Sequence, residues 1–358
     1  MAPTHPRLER SKIVTTLQPW DKNENVIWLA STMALHRNIE KFKFPHKLEL
    51  EKKRHIVELI SKALNSFEKL ESPFLLYADE LSPIEKNFLL EHFLVFEGFQ
   101  EATHGEAFTV DESGQFLALI NVKDHLRLSV TDTEGDLEKS WGKLVSYENS
   151  LTTAFNFAFS QKFGFLTADP KLSGTGLVIE AFIHLPALIH LGELQDFLEK
   201  EKNDACLVSG LLGNPDELIG DIVTIRNAFT LGVNEETIIS TLRSAILKFV
   251  LFEKNARGRI QGEKITHFMD LVSRAVGTLK SSYELETVEA LNALSLVKLG
   301  VELGWVKMLS VQQCNKLLFG VRRSHLNYHL KENIPNEKVA ARRADFLREN
   351  LKDARCEF

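Results

Sequence analysis

The stretch from Asn121 to Arg127 concentrates polar side chains that could do chemistry. Arg127 could bind a phosphate group, because a planar guanidinium forms two parallel hydrogen bonds to phosphate oxygens. Lys123 could act as a base if burial lowered its pKa, although a solvated loop lysine is the simpler interpretation. Asp124 and His125 could instead hold a hairpin together by hydrogen bonds.

A second group of candidates lies between residues 169 and 176. Asp169 could grip a guanidinium or another cation, or it could accept backbone N–H groups in the turn before Pro170. Gly174 and Gly176 flank Thr175 and allow backbone conformations that side chains forbid. Fold maintenance is the alternative interpretation for both glycines, and also for Asn227 and Thr230.

Periodicity and turn signals predict the elements that must position these residues. Helices are predicted over 49–70, 83–93, 134–161, 235–257, 263–280, 286–300, 310–331 and 336–352. A capping-box pattern at Ser82 to Glu85 marks the start of the second helix. A short buried strand is predicted over 74–77, and an antiparallel segment is predicted from strands over 106–110, 115–121 and 126–131. The chain therefore begins with a helical portion, continues as mixed α and β structure, and ends in helices.

Composition excludes several classes of function. The chain has 358 residues, a formal net charge of -6 and no long basic block, so nucleic-acid binding has no support. Its three cysteines are far apart, which predicts neither a metal site nor a disulfide framework. We expect no signal peptide and no membrane span, because no apolar run is long enough. A reducing cytoplasm is the expected compartment.

The stretch from Asn121 to Arg127 resembles the Asn-Glu-Glu-Asp-His-Leu-Arg signature of the ATP:guanidino phosphotransferases. Further segments resemble the bacterial protein-arginine kinase branch of that family, in the same order along the chain. They lie at 29–38, 42–45, 163–170, 174–177, 184–188, 225–232, 297–304 and 342–344. Because the match is collinear over nearly the whole chain, chance is a poor explanation.

The resemblance implies an α+β fold. It predicts a small, mainly helical N-terminal domain over 1–98 and a larger domain over 99–358. The larger domain would contain an antiparallel sheet flanked by helices, as in guanidino kinases. A helical C-terminal segment would occupy 310–358.

The resemblance also implies ATP and magnesium as cofactors and five arginines that hold the nucleotide phosphates. The nucleotide-binding positions implied by alignment are Ser31, Thr32, Ala34, Arg127, Val178 and Ser209. Of the five arginines, only Arg127 is present. One cation supplied to a phosphoryl-transfer site is worth about three to five orders of magnitude in rate. Most of the arginines with which the family binds phosphate are therefore absent.

The catalytic positions implied by the resemblance are also replaced. Val122 and Lys123 stand where the family has two glutamates, and Asp169 stands where it has a reactive cysteine. Two positive charges about 4 Å apart cost several kcal/mol at an effective dielectric near 20, so Lys123 would not attract a guanidinium substrate. No residue is therefore assigned a catalytic role with the family's chemistry.

A phosphoarginine or anion site is implied near the C-terminus, where Lys338 and Val339 replace an Arg-Asp pair. Arg342 and Arg343 remain beside it. Adjacent residues point in different directions on a helix, so one of the two arginines should face solvent. A solvated helical face is the alternative interpretation.

Three functions are compatible with this pattern. The first is a pseudokinase that binds proteins, and the resemblance implies three partners: a zinc-binding adaptor, the Clp protease machinery of a stress pathway, and a second copy in a homodimer. The second is an active protein-arginine phosphotransferase in which Lys123 or Asp169 takes a new role and Lys171 or Arg226 grips phosphate. The third is a sensor that uses the old cleft without turnover.

Overall fold

The computed structural model describes residues 19–95, 101–262 and 264–358. The strands of the described residues are β1 (Trp28–Arg37), β2 (Phe74–Tyr77), β3 (Ala107–Val110), β4 (Phe116–Ile120), β5 (Leu126–Asp132), β6 (Phe159–Ser160), β7 (Gly164–Phe165), β8 (Leu177–His184), β9 (Cys206–Gly210), β10 (Ile222–Asn227), β11 (Val306–Lys307) and β12 (Arg355–Cys356). The predicted boundary between residues 98 and 99 lies outside the described residues and stays a prediction.

Helices occupy most of the remaining described chain. They are α1 (Leu50–Asn65), α2 (Pro83–Phe93), α3 (Leu137–Leu151), α4 (Pro186–His190), α5 (Leu194–Lys200), α6 (Glu235–Ile260), α7 (Ile265–Ser281), α8 (Thr287–Glu302), α9 (Val311–Gly320), α10 (Arg323–Leu330) and α11 (Val339–Asn350). Short 3₁₀ helices lie between them, including Pro170–Leu172 and Asn336–Lys338.

Eight of the strands form one antiparallel sheet in the order β2-β3-β4-β5-β1-β8-β10-β9. Pairing places Thr32 of β1 opposite Thr131 of β5, and His36 opposite Arg127. Among the described strands, β2 and β9 form the edges of this sheet. The sheet and its flanking helices confirm the predicted α+β class.

The chain divides into two compact units. Among the described residues, the first contains Ser31–Glu180, Arg226–Arg243 and Pro19, and the second contains Trp20–Ala30, Ala181–Ile225 and Ser244–Phe358.

In the first unit, α1 and α3 cover the sheet at β4 and β5. The apolar positions of α1 recur at helical spacing, and Ile56, Val57, Ile60 and Leu64 are fully buried. The signature stretch forms the β4–β5 connection and the first two residues of β5, at the end of this covered sheet.

In the second unit, α8 is the central helix and packs against α7, α9 and the 3₁₀ helix at Ile219–Asp221. Most of its residues between Ala290 and Gly300 are buried, including Lys298. The Cβ of any residue at Gly300 would lie 2.5 Å from Val272, so glycine allows α7 to approach closely.

The structure corrects two predicted helices and contains a central strand that was not predicted. The helix predicted over 134–161 ends at Leu151, and β6 begins at Phe159. The helix predicted over 310–331 is two helices separated at Val321 and Arg322. β1 is a central strand, although no strand is predicted there from the sequence.

Candidate functional site

Asn121 fixes the start of the signature stretch. Its backbone is left-handed, with φ at +61°, a conformation that asparagine tolerates better than most residues. Its side-chain Nδ2 donates to the carbonyls of Lys53 and Gly105, each at 2.9 Å. Asn121 therefore ties the β4–β5 connection to α1 and to the chain before β3.

Asp124 is buried and accepts hydrogen bonds from three sides. Its Oδ2 lies 3.0 Å from Nδ1 of His36. Its Oδ1 accepts from Nδ2 of Asn38 and from the backbone N–H of Ala168, each at 2.6 Å. Burial opposes ionisation, but these hydrogen bonds outweigh it and lower the pKa of Asp124. Asp124 thus joins the signature stretch to the end of β1 and to the 163–170 segment.

His125 completes the same junction. Its Nδ1 accepts from the N–H of Ile39 at 3.0 Å, and its Nε2 lies 2.9 Å from the carbonyl of Lys43. Its backbone N–H donates to Oδ1 of Asn38 at 2.9 Å. The side chains of Asp124 and His125 were expected to hold the hairpin together, but their hydrogen-bond partners lie outside the hairpin, in residues 36–43 and at Ala168.

The replaced glutamate positions lie between these anchored residues. Val122 is half-buried and Lys123 is exposed.

One face of β1 and β5 carries three of the predicted nucleotide-binding positions. Thr32 and Ala34 lie on the same face of β1, because side chains alternate along a strand. Arg127 lies on that face too, opposite His36. Thr32 is 4% exposed and Ala34 1% exposed, whereas Arg127 is half-buried. The face therefore carries a hydroxyl and a methyl group at the two positions for which the resemblance implies guanidinium groups.

The other predicted nucleotide-binding positions are placed separately. Ser31 is buried on the opposite face of β1, and Val178 is half-buried on β8, the strand next to β1. Ser209 lies on β9 in the second unit, where its Oγ is 2.8 Å from Oγ1 of Thr224.

Asp169 is exposed and serves the local backbone. Its Oδ1 accepts from the N–H of Lys171 at 3.0 Å, at the start of the 3₁₀ helix Pro170–Leu172. This contact is the one expected of the turn interpretation. The carboxylate's remaining surface is open to solvent.

The loop after Asp169 depends on close backbone approach. Gly174 has φ at +104°, and a Cβ there would lie 2.7 Å from Cα of Leu231. Thr230 donates from Oγ1 to the carbonyl of Ser173 at 2.7 Å. The side chain of Asn227 bonds the backbone of Ile179 and Leu177 at 2.8 and 3.0 Å. These contacts agree with fold maintenance.

The two adjacent arginines of the C-terminal candidate site point in different directions, as expected on a helix. Arg343 is 2% exposed and donates to the carbonyls of Val321 and Leu285 at 2.8 and 2.6 Å. Arg342 is half-exposed and bonds both carboxylate oxygens of Glu332 at 2.6 and 3.2 Å. Lys338 is exposed at the end of a 3₁₀ helix.

A buried ionic network in the second unit was not predicted. Nζ of Lys298 lies 2.9 Å from Glu302 and 3.4 Å from Nδ1 of His184. Arg257 bonds Glu302 and, at 2.7 Å, Glu253. Burial lowers the pKa of Lys298 and of His184 well below their usual ranges. The sequence carried a signal for this network, because His184 and Lys298 each interrupt an otherwise apolar stretch.

The described residues contain no cluster of three or more His, Cys, Asp or Glu side chains placed to hold a metal ion. In the described part of the chain, every helix is too short or too polar to cross a bilayer.

Two family models match successive parts of the chain. A model of the ATP:guanido phosphotransferase C-terminal catalytic domain matches residues 55–256. A model of the protein-arginine kinase McsB C-terminal domain matches residues 266–357.

Relatives named protein-arginine kinase match over nearly their whole length. One from Chlamydia pneumoniae is 35% identical over 335 residues, which is 92% of each chain. One from Clostridium tetani is 28% identical over 332 residues, covering 93% of this chain and 97% of the relative.

Solved structures share the fold. Lombricine kinase matches 67% of this chain and 71% of its own, with a TM-score of 0.55 and 18% identity. The duplicated taurocyamine kinase from Schistosoma mansoni matches 76% of this chain and 40% of its own, with a TM-score of 0.58 and 20% identity. These structures show the fold, whereas the family models and the relatives show that the chain belongs to the protein-arginine kinase family of ATP:guanido phosphotransferases.

Proposed function

We propose that this family member is a pseudokinase that acts by binding proteins rather than by transferring phosphoryl groups. The observation that carries the proposal is the face of β1 and β5. Thr32 and Ala34 are buried there, and Arg127 is the arginine that this face retains.

The missing cations weigh against turnover. Phosphoryl transfer is mostly positioning and charge stabilisation, and one arginine in such a site is worth about 10³ to 10⁵ in rate. A Thr hydroxyl can donate one hydrogen bond, but Ala34 and Val178 offer no side-chain donor. Four such losses are not additive, yet they exceed what the remaining contacts offset. ATP and its magnesium therefore fit poorly against the residues present.

The residues that would have to bind the guanidinium substrate are equally unsuited to phosphoryl transfer. Productive transfer needs a carboxylate that orients the guanidinium and accepts its proton. Lys123 puts an exposed ammonium at one glutamate position, and Val122 is apolar. Asp169 is the candidate for a replacement carboxylate. It already accepts a hydrogen bond from the backbone N–H of Lys171.

The retained residues support a binding role. Asn121, Asp124 and His125 keep their scaffold hydrogen bonds. A surface that evolved to contact proteins can persist when the chemistry is lost. The partners implied by family resemblance are a zinc-binding adaptor, components of the Clp protease and a second copy of the chain, all in the cytoplasm. Lys338 and Arg342 are the proposed remnants of an anion site.

Calorimetric titration with Mg-ATP tests the proposal that the nucleotide site no longer binds ATP. We expect no heat of binding up to about 1 mM nucleotide, where a relative with all five arginines gives a normal isotherm. Micromolar binding that disappears in the Arg127→Ala variant would refute the proposal and favour the rearranged phosphotransferase.

Immobilised chain incubated with purified adaptor, Clp components or untagged chain tests the partners. Retention of at least one component supports the binding role. Failure to retain any of the three would remove the partner part of the proposal.

A further inference from the structure

We propose that a cavity of the first unit, between the β6–β7 hairpin and the start of α6, binds a free amino acid with an apolar side chain. Lys162 contacts the carboxylate of this ligand, Glu235 contacts its ammonium group, and phenylalanine rings contact its side chain. The inference goes beyond the proposed function, because it gives the chain a small-molecule ligand in addition to its protein partners.

The cavity has the size of a small-molecule site. Its volume of about 600 Å³ lies within the range of about 300–1,000 Å³ that such sites usually have. Its walls come from the hairpin over 159–165, from Gly174 and Thr175, and from residues between 231 and 237. All three parts belong to the first unit, so one compact body contains the whole cavity.

Hydrogen bonds between these parts hold the walls in place. The N–H of Phe165 donates to the carbonyl of Gly174 at 2.8 Å, and the N–H of Gly174 donates back at 3.2 Å. The N–H of Thr175 donates to the carbonyl of Thr230 at 3.0 Å, next to the 231–237 wall. The guanidinium of Arg37 stacks on the ring of Phe165 at 3.6 Å. The cavity is therefore formed before any ligand arrives, as small-molecule sites usually are.

Large apolar side chains are exposed around the cavity. Phe159 is 60% exposed, Phe163 is 45% exposed and Leu231 is 46% exposed, and all three line it. Apolar side chains gathered on the surface around one cavity are typical of a binding site. An apolar ligand group placed between them removes this surface from water, and an aromatic ring gains edge or face contacts with the phenylalanines.

Two opposite charges line the same cavity without pairing. Lys162 is exposed, and its Nζ lies 5.1 Å from the ring centroid of Phe163. Glu235 is half-buried at the start of α6. Among the described residues, neither side chain forms a salt bridge or a side-chain hydrogen bond. An unpaired ammonium and an unpaired carboxylate beside apolar walls complement a ligand that itself carries both charges.

The charge nearest to Glu235 has its own partners. Arg37 is near enough to interact electrostatically with Glu235. Its Nε donates to Glu148, and its Nη1 donates to the carbonyls of His36 and Thr175 at 2.8 and 2.9 Å. The Glu235 carboxylate can therefore accept hydrogen bonds from a ligand without breaking one to Arg37.

The pair of charges selects a free amino acid. A residue inside a peptide has neither a free ammonium nor a free carboxylate on its backbone, and a chain terminus has only one of them. The side chain of the ligand meets Phe159, Phe163 and Leu231, where a charged group would lose water without gaining a partner. The class that fits is therefore the amino acids with aromatic or large aliphatic side chains.

Calorimetric titration of the full chain with L-phenylalanine tests this site. We expect saturable one-to-one binding with a Kd on the order of 0.1 mM. Phenethylamine lacks the carboxylate, and 3-phenylpropionate lacks the ammonium group. Each should bind about tenfold more weakly or worse, because each leaves one charged side chain of the cavity without its ionic partner.

Three protein variants locate the two ends of the ligand. Lys162→Gln should weaken the binding of L-phenylalanine and 3-phenylpropionate about tenfold and leave that of phenethylamine unchanged. Glu235→Gln should weaken L-phenylalanine and phenethylamine and leave 3-phenylpropionate unchanged. Phe159→Ala should weaken all three alike, because they share the phenyl group.

Matched controls change the same residue types elsewhere. Glu236→Gln alters the exposed carboxylate that follows Glu235 on α6, and Lys254→Gln alters an exposed lysine of the second unit. Neither residue lines the cavity, so both variants should bind L-phenylalanine as the parent chain does. Circular dichroism spectra that match the parent chain establish that each variant is folded.

Several results would overturn the inference. They are the absence of saturable binding, equal affinity for L-phenylalanine and either analogue, and equal effects of Glu235→Gln and Glu236→Gln. Tighter binding of L-arginine than of L-phenylalanine would contradict the apolar class. Self-association that Phe159→Ala abolishes, without binding of L-phenylalanine, assigns the apolar surface to a second copy and also overturns it. None of these results changes the outcome of the Mg-ATP titration.

Discussion

The carboxylate of Asp124 lies 3.0 Å from Nδ1 of His36, and this contact joins the signature stretch to the central strand β1. Burial lowers the pKa of His36 more than the hydrogen bond to Asp124 raises it. Val122 and Lys123 stand beside Asp124, at the two positions where the resemblance implies glutamates. Under the pseudokinase proposal, Asp124 serves the scaffold, and the two positions beside it no longer offer a carboxylate.

Asp124→Ala should destabilise the protein without any effect on nucleotide binding. The change leaves His36, Asn38 and the N–H of Ala168 without their acceptor in a buried place. Each buried donor left unsatisfied costs about 1–3 kcal/mol, so we expect a loss of about 3 kcal/mol or more in the free energy of unfolding. Urea denaturation followed by circular dichroism measures it.

Asp169→Ala is the matched control for that substitution. Asp169 is exposed and accepts one backbone N–H, so its loss should cost less than about 1 kcal/mol. Equal effects of the two substitutions would contradict the scaffold role assigned to Asp124.

Ala34→Arg should not restore nucleotide binding. Ala34 is 1% exposed, so a guanidinium there must be buried without a partner or must displace its neighbours. We expect a loss of about 3–5 kcal/mol in the free energy of unfolding, whereas Ala34→Ser should cost less than about 2 kcal/mol. A stable Ala34→Arg protein that binds Mg-ATP would mean that the phosphate pocket is open and lacks only its cations.

Stability should fall as the pH drops from 6.5 to 5. Burial lowers the pKa of His36, His125 and His184 in the folded protein. The unfolded chain takes up protons at these residues near pH 6.5, whereas the folded chain takes them up only at lower pH. Each residue therefore costs up to about 1.4 kcal/mol per pH unit over that range. His190 has the opposite sign, because its hydrogen bond to Asp221 raises its pKa. Its contribution is fully present below pH 6.5 and does not offset the loss.

The urea midpoint measured at several pH values checks this dependence. His184→Gln should reduce the slope of stability against pH by the share of one histidine, even if it lowers stability at every pH. A slope unchanged by His184→Gln would show that this histidine titrates normally in the folded protein.

Local signals in the sequence predicted local structure well. Ser82 caps α2 and forms the expected capping box with Glu85, because both partners lie within one helical turn. β2 also has its predicted bounds, Phe74–Tyr77. The β1 strand was missed because it is buried on both faces, so Trp28–Arg37 lacks the alternation that marks a half-buried strand.

The candidate positions of the site came from the sequence, but their three-dimensional arrangement could not be predicted from it. The resemblance located Arg127, Thr32 and Ala34, and the pairing of β1 with β5 then placed them on one face. The partners of Asp124 could not be read from the sequence, since His36 and Ala168 lie 88 and 44 residues away along the chain. Such long-range contacts depend on the whole fold.

Phosphoryl transfer itself tests the central claim most directly. The purified chain is incubated with ATP labelled on its γ-phosphate, magnesium and an arginine-rich protein, and acid-labile phosphate is measured on that protein under neutral handling. We predict no transfer above a chain-free control, at a concentration where a protein-arginine kinase with all five arginines gives a strong signal. Transfer that depends on Arg127 would contradict the account and establish an active phosphotransferase.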